Sequence, residues 1–479
     1  MALESAPSPT LPLCVDLDGT LIRGDLLFEC LALLVKRNPL YLLWLPLWLL
    51  GGKAALKSQV ARRVTLNAAA LPYNSELLEW LRLEHARGRS VWLCTASNER
   101  LAAAVAAHLG FFEGVLASDE RANLAGAAKA MRLVERFGER GFDYCGNEQR
   151  DLAVWERSHG AIVVAGSRRL EERAGQRTQL VATFPPKARP VKALLAALRP
   201  HQWAKNALLL VPLLAAHRAG DLSADGTVVL GIVAFCLCAS SVYILNDLLD
   251  LEADRAHPRK SKRPFAAGDL SIASGLALAP ALLAGALVIA AFLPQRFWLV
   301  VAIYYAVTLA YSFALKAIVL IDALTLAGLY TLRMIAGAAA VTVPLSFWLL
   351  VFSGLLFLSL AFLKRFAELE SLRRHQRLRA AGRGYLVEDL PLLQSLGTAA
   401  GYLSVLVLAL YINSPYIEAL YRRPKLIWTL CVLMLYWVSR IWLIAQRGQM
   451  HDDPVVFALR DRHSLAIGLL AALTVALAI

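Results

Sequence analysis

The chain has 479 residues, 58% of them hydrophobic, and a formal net charge of +14. That length admits two or three domains, and so apolar a composition excludes a protein that is soluble throughout. A basic excess points to nucleic acid when the bases form one soluble patch. Here they fall in clusters between apolar runs, which argues against nucleic acid as a partner.

Residues 1–12 are rich in Ala, Pro and Ser with no basic start, so no signal peptide is expected. PLCVDLDGTLIRGD then gives a short apolar strand that ends in Asp16-Leu17-Asp18-Gly19-Thr20. A carboxylate at the C-terminal edge of a strand can attack phosphorus. A second carboxylate two residues on points the same way and can protonate the leaving oxygen. The DLDGT stretch resembles the first motif of the haloacid dehalogenase (HAD) superfamily, and three further pieces follow in that family's order. SVWLCTASNE supplies Thr95 and Ser97, either of which can hold a phosphoryl oxygen, with Thr95 at the motif position. GAAKAMRL supplies Lys129 to neutralise phosphoryl charge, and FDYCGNEQRDLAVW supplies Asp151 as a carboxylate on the Mg²⁺ side. The family often has Gly-Asp where this chain has Gly146-Asn147, which replaces one anionic ligand by an amide.

The resemblance implies an α/β, Rossmannoid domain over residues 1–180, with a helical cap near 26–90 and its insertion at 26–57. It implies catalysis by Asp16, Asp18, Thr95 and Lys129, and Mg²⁺ held by Asp16, Asp18 and Asp151. A retained scaffold without turnover is the rival reading. Within the cap, LYLLWLPLWLL (Leu40–Leu50) is too short to span a bilayer. It is either a buried cap helix or an interfacial patch, for which Trp44 and Trp48 are suited. Cys14, Cys30, Cys94 and Cys145, like the other three cysteines, lack metal-like spacing and are expected to be reduced and buried.

The polar, Pro-containing stretch from Arg168 to Pro190 marks a domain boundary, with 181–198 as linker. Residues 199–479 read as an all-α polytopic membrane domain, because about 20 apolar residues of helix cross the hydrocarbon core. About nine spans are expected on that criterion, beginning near Trp203, Val228, Ile272, Phe297, Ile318, Phe347, Leu392, Leu426 and Ser464. Basic clusters at Arg255–Arg263, at Lys364, Arg365, Arg373, Arg374, Arg377, Arg379 and Arg383, and at Arg447, Arg460 and Arg462 would face the cytoplasm. The HAD-like domain would then be cytoplasmic on an inner (cytoplasmic) membrane, and nine spans would leave the C-terminus outside.

NDLLDLEADRAHPRKSKRP (Asn246–Pro264) follows an uncharged run. On a helix, Asn246, Asp250 and Asp254 form one stripe with Asp247 at its border. Carboxylates so close repel unless a cation lies between them, so a divalent metal and a diphosphate are the expected ligands, with Arg263 among the phosphate-binding bases. The pattern NDxxDxxxD closed by RP resembles the first aspartate motif of the UbiA superfamily of intramembrane prenyltransferases. RPHQWAKN (Arg199–Asn206) and YSFALK (Tyr311–Lys316) resemble other elements of that family. One departure stands out: VLIDALTLAGLYTLRMIAG has Asp322 but Leu326 where a second acid is usual, and Arg333 follows.

That departure, with RPHQWAKN and FLKRFAELE (Phe362–Glu370), is more similar to the decaprenyl-phosphate phosphoribosyltransferase-like branch. The resemblance implies Mg²⁺ at Asp247, Asp250 and Asp254, and substrate contacts from Lys205, Asn206, Asn246, Arg263, Tyr311, Lys316, Asp322, Arg333, Lys364 and Arg365. The implied partners are phosphoribosyl pyrophosphate (PRPP), a polyprenyl phosphate and the lipid bilayer. Lys364 and Arg365 also fit as plain positive-inside anchors. Arg333 in an apolar span needs a substrate phosphate or Asp322 nearby. Asp453 reads as a turn or helix start, and Asp461 as a flank of the same cavity. The rivals are prenyl transfer to an aromatic acceptor and a non-catalytic transporter or scaffold. Homo-oligomer formation is left open.

Overall fold

Six short apolar runs become the strands of one parallel sheet in the order β3-β2-β1-β4-β5-β6. They are β1 (Leu13–Val15), β2 (Val91–Asn98), β3 (Gly114–Ser118), β4 (Asp143–Gly146), β5 (Gly160–Val164) and β6 (Gln179–Phe184). Parallel strands are covered by helices on both faces, and the alternation of β1 shows it. Leu13 and Val15 join the core that includes Leu93 and Ile162, whereas Cys14 joins the core of Cys94, Tyr144 and Val163. This strand order reverses direction beside β1, and ligands of such sheets lie at the C-terminal strand ends by that switch point. Asp16 follows β1, Thr95 and Ser97 close β2, and Asn147 follows β4.

The computed structural model describes residues 11–119, 123–186, 190–376, 383–414, 421–450 and 453–479. Arg377, Arg379 and Asp452 of the charged loops lie outside the described residues. The chain forms two compact units, Met1–Leu198 with Ile244–Leu278, and Arg199–Tyr243 with Ala279–Ile479. The first unit therefore contains the sheet and also the acidic and basic stretch around Asn246–Pro264. Between β1 and β2 the chain is helical, beginning with α1 (Leu26–Arg37) and, after a 3₁₀ turn at Pro39–Leu43, α2 (Leu45–Leu50). Asp25 caps α1 by accepting from Leu27 N at 2.8 Å. All seven cysteines are free and buried, among them the four for which this was expected, Cys14, Cys30, Cys94 and Cys145.

Seven helices among the described residues are long and apolar enough to cross a membrane, beginning at Leu222, Ile272, Gln295, Ile321, Phe347, Val387 and Pro424. They coincide with seven of the nine expected spans; those expected near Trp203 and Ser464 are not among them. Near Trp203 the chain breaks into Pro200–Trp203, a 3₁₀ run Ala204–Leu210 and Val211–Ala215. Pro212 withholds a backbone donor there. The last apolar helix, Arg462–Ala478, has 17 residues and falls short of the usual span.

Candidate active sites

In the first unit, Asp16 and Lys129 form a buried ion pair at 2.9 Å. Lys129 also donates to the Tyr144 hydroxyl at 2.8 Å, and that hydroxyl donates to Asp151 Oδ1 at 3.1 Å. Asp151 Oδ2 accepts from the backbone of Asn147 and Glu148, both at 2.9 Å. Asp18 is held by Ser97 Oγ and by Leu26 N, both at 2.7 Å, so the start of α1 fixes its carboxylate. Thr95 is fully buried and its Oγ1 accepts from Ser97 N at 3.0 Å. Gly19 has φ +72°, and a Cβ there would lie 2.1 Å from the Asn147 amide nitrogen. Only glycine suits that turn.

Burial pushes Asp16 up to about 7 against the pull of Lys129, with Asp151 and Asp18 adding to the rise. Burial and the neighbouring Asp25 push Asp18 up to about 6, against hydrogen bonds from Ser97 and Leu26. Two carboxylates two residues apart, a buried ammonium and a third carboxylate thus gather at one end of the sheet. The sequence missed Tyr144, which links Lys129 to Asp151; nothing in its spacing signals that role.

The second acidic group of this unit departs from an unbroken stripe. The Leu222–Leu249 helix stops before Asp250, which takes φ −104° and ψ 16°, and a short helix Leu251–Arg255 follows. Asp247 and Asp254 share one guanidinium nitrogen of Arg263, at 3.1 and 2.5 Å. Asp250 instead lies 3.6 Å from Lys36, and Asn246 is half-buried. Arg255 grips Glu29 of α1 through both nitrogens, at 2.6 and 3.0 Å.

Among the described residues no three His, Cys, Asp or Glu side chains are gathered to hold a metal on their own. Mg²⁺, however, is commonly held by one or two carboxylates together with water and substrate phosphates. Asp16 with its neighbours, and the pair Asp247 and Asp254 already drawn around one cation, have the oxygen chemistry such an ion requires.

The second unit contains a cationic network. Lys205 and Lys364 both contact Asp453 Oδ2 at 2.8 Å, and Tyr330 donates to Asp453 Oδ1 at 3.3 Å. Burial would raise Asp453, but Lys364 and Lys205 hold its carboxyl well below the usual range. Asp453 also starts the helix Pro454–Ala458 by accepting from Val455 N at 3.2 Å. Its pairing with two lysines escaped the sequence, because a helix-starting Asp before Pro carries no sign of distant lysines.

Arg333 donates to Asn206 Oδ1 at 3.0 Å, to Leu329 O at 2.6 Å and to the Tyr304 hydroxyl at 2.9 Å. These partners are neutral. Asp322 is not beside it: Asp322 pairs with buried Arg365 and accepts from the Tyr311 hydroxyl at 2.8 Å. Arg365 also binds Glu368 at 2.5 Å, so it is an interior ion-pair member and not a surface anchor. Asp461 caps Arg462–Ala478 and pairs with Arg440 at 2.6 Å. Lys316 is half-buried in the 3₁₀ turn Leu315–Ala317.

Asn206 reaches Arg333 because two backbones approach closely. A Cβ at Gly337 would lie 2.1 Å from the carbonyl oxygen of Leu209. Gly337→Ala is expected to cost about 1–3 kcal/mol through this overpacking, read as a lower unfolding temperature in detergent. Any activity that depends on Arg333 should fall with it, as Asn206 is pushed off that residue.

A model of the UbiA prenyltransferase family matches residues 207–461. The chain belongs to the UbiA prenyltransferase family. A model of haloacid dehalogenase-like hydrolases matches residues 13–156, and the N-terminal sheet is that HAD-like domain. Protein y4nM of Sinorhizobium fredii is 39% identical over 465 residues, which is 96% of this chain and 90% of the relative. Nodulation protein NoeC of Azorhizobium caulinodans is 37% identical over 279 residues, 58% of this chain and 90% of that one. A decaprenyl-phosphate phosphoribosyltransferase of Mycolicibacterium smegmatis is 42% identical over 190 residues, 38% of this chain and 59% of its own length. This UbiA protein is thus an integral membrane enzyme with a fused HAD hydrolase-like domain, which sets aside the transporter and scaffold readings.

Proposed function

We propose that the UbiA unit transfers 5-phosphoribose from PRPP to a polyprenyl phosphate, and that the HAD domain then removes the 5-phosphate from the lipid-linked product. The observation that carries this reading is the excess of cations: buried Arg333 has neutral hydrogen-bond partners, and Lys205 and Lys364 share the single carboxylate of Asp453. Two phosphorylated substrates need more fixed positive charge than one prenyl diphosphate and a neutral aromatic acceptor. The kinship with proteins named decaprenyl-phosphate phosphoribosyltransferase supports the same choice.

In the transfer, an oxygen of the lipid phosphate bonds to ribose C1 as the bond from C1 to the pyrophosphate oxygen breaks. The electron pair leaves with pyrophosphate, and the product is a phosphodiester. Asp247, Asp254 and Asp250 would hold Mg²⁺, which supplies neutralisation of the departing diphosphate. Arg263 would take phosphate oxygens once it leaves the two acids. In the second reaction Asp16 attacks the 5-phosphate, the bond from phosphorus to the ribose oxygen breaks, and Asp18 protonates that oxygen. Water then releases phosphate from Asp16, with Asp18 as base. Lys129 and Thr95 or Ser97 hold the phosphoryl oxygens. The basic clusters favour a cytoplasmic HAD domain on an inner membrane.

The test uses the full chain in nanodiscs with ribose-labelled PRPP, a polyprenyl phosphate and Mg²⁺. Label is expected in the lipid fraction and should vanish in Asp247→Asn. Asp16→Asn should accumulate the 5-phosphate form, where the wild type yields lipid-linked ribose. No lipid label from folded wild type would overturn the reading. Transfer of a prenyl group to an aromatic acceptor under the same conditions would replace it.

A further inference from the structure

Pro39–Leu50, the 3₁₀ turn and α2 of the cap, is an exposed apolar surface of the first unit. Leu43 is 72% exposed and Leu50 85%, and Leu40, Trp44 and Leu47 are each more than half exposed. Side chains of this size normally cover a core, and a contiguous patch of them marks an interaction surface. At 12 residues the segment is too short to cross a bilayer.

Two ion pairs within the same unit fix where this surface begins. Arg255 grips Glu29 in the first turn of α1, and Lys36 in its last turn lies 3.6 Å from Asp250. Asp250 follows directly on Leu249, the last residue of a span-length apolar helix. From Lys36 to Pro39 is roughly 10 Å of chain at most, so the patch starts close to the charged end of that helix. Its borders are cationic, Lys36 and Arg37 before it and Lys53 after it, which complements anionic headgroups. Trp44 carries the amphipathic ring that favours the interface.

We infer that Pro39–Leu50 is a wedge lying in the bilayer surface, which holds the mouth of the HAD site over the membrane so that it takes a phosphate monoester borne on a lipid. The N-terminal end of α1 fixes Asp18 through Leu26 N, and its C-terminal end leads into the wedge. One helix therefore joins the acid of the site to the membrane contact. The substrate half of this inference rests on the phosphatase reading above; the insertion half stands without it.

The experiment uses the full chain, one copy per nanodisc of mixed neutral and anionic lipid. All seven native cysteines are buried, so Leu47→Cys can take an environment-sensitive fluorophore selectively. Blue-shifted emission quenched by nitroxide on the lipid chains is expected, with no quenching of the same label at exposed Glu135→Cys. Water-like emission at Leu47→Cys would overturn insertion. A shift that appears only with two copies per disc would assign the patch to a second chain and overturn it too. For the substrate half, Leu43→Asp with Leu47→Asp should slow hydrolysis of the lipid-linked 5-phosphate at least about tenfold by loss of local concentration. Hydrolysis of p-nitrophenyl phosphate should be unchanged. Equal rates on the lipid substrate would overturn the substrate half alone. A wild type inactive on both substrates would sink the phosphatase reading, and the fluorescence arm would still decide insertion.

Discussion

Arg365→Met is expected to destabilise the membrane unit by about 3–5 kcal/mol, the usual cost of leaving one member of a buried ion pair alone. Asp322 has no exposed surface, and Arg365 is 1% exposed. Removing the guanidinium leaves a carboxylate inside an apolar helix bundle with only the Tyr311 hydroxyl still donating to it. Asp322→Leu combined with Arg365→Met should recover most of the loss, because a well-packed apolar pair often matches a buried ionic one. Thermal unfolding of both variants in the same detergent measures the coupling. A single variant within 1 kcal/mol of wild type would show that the pair contributes little. The double variant separates structure from chemistry: if it is stable but transfers no phosphoribose, the two charges belong to the substrate site. If it remains active, they only hold the helices together.

What the sequence revealed of these sites, and what it hid, follows from how far apart the partners stand in the chain. The carboxylate pair of the HAD-like domain was readable because Asp16 and Asp18 are close neighbours at a strand end, where the pleat fixes their direction. The polar stripe that begins at Asn246 was readable from its helical spacing, up to the break at Asp250. That break comes from one residue's backbone angles, which helical periodicity cannot register. Asp453 with Lys205 and Lys364, and Asp322 with Arg365, were not readable as pairs, because they join segments distant in sequence. Arg333 was marked as needing an anion, and the structure instead surrounds it with neutral donors and acceptors. The first and last expected spans differ from the other seven for opposite reasons. Pro212 and 3₁₀ geometry fragment the first, whereas the last is a regular helix that is simply short.

Divalent-cation binding at the HAD site is expected to strengthen steeply with pH. Asp16 titrates at about 7 and Asp18 at about 6 in the metal-free protein, both raised mainly by burial. A cation binds the ionised carboxylates, so protons must leave before it can enter. Below pH 6 both groups hold a proton and both protons are displaced, so affinity should rise by up to about two decades per pH unit. Between about 6 and 7 only Asp16 still holds one, and the slope should approach one decade. Above 7 it should flatten. From pH 5 to pH 8 the sum is about a thousandfold. The sign for stability runs the other way: with folded values above the unfolded 3.8, these two groups favour the metal-free fold most below pH 4, and that contribution is lost as pH rises through 6 and 7. Bound cation should therefore raise the unfolding temperature of the HAD domain most at neutral pH and above. Titration calorimetry of the full chain with Mg²⁺ at several pH values measures the slope, with Asp16→Asn as the control that removes the higher-pH step. A flat affinity from pH 5 to 8 would mean that both carboxylates are already ionised in the free protein, with Lys129 outweighing their burial.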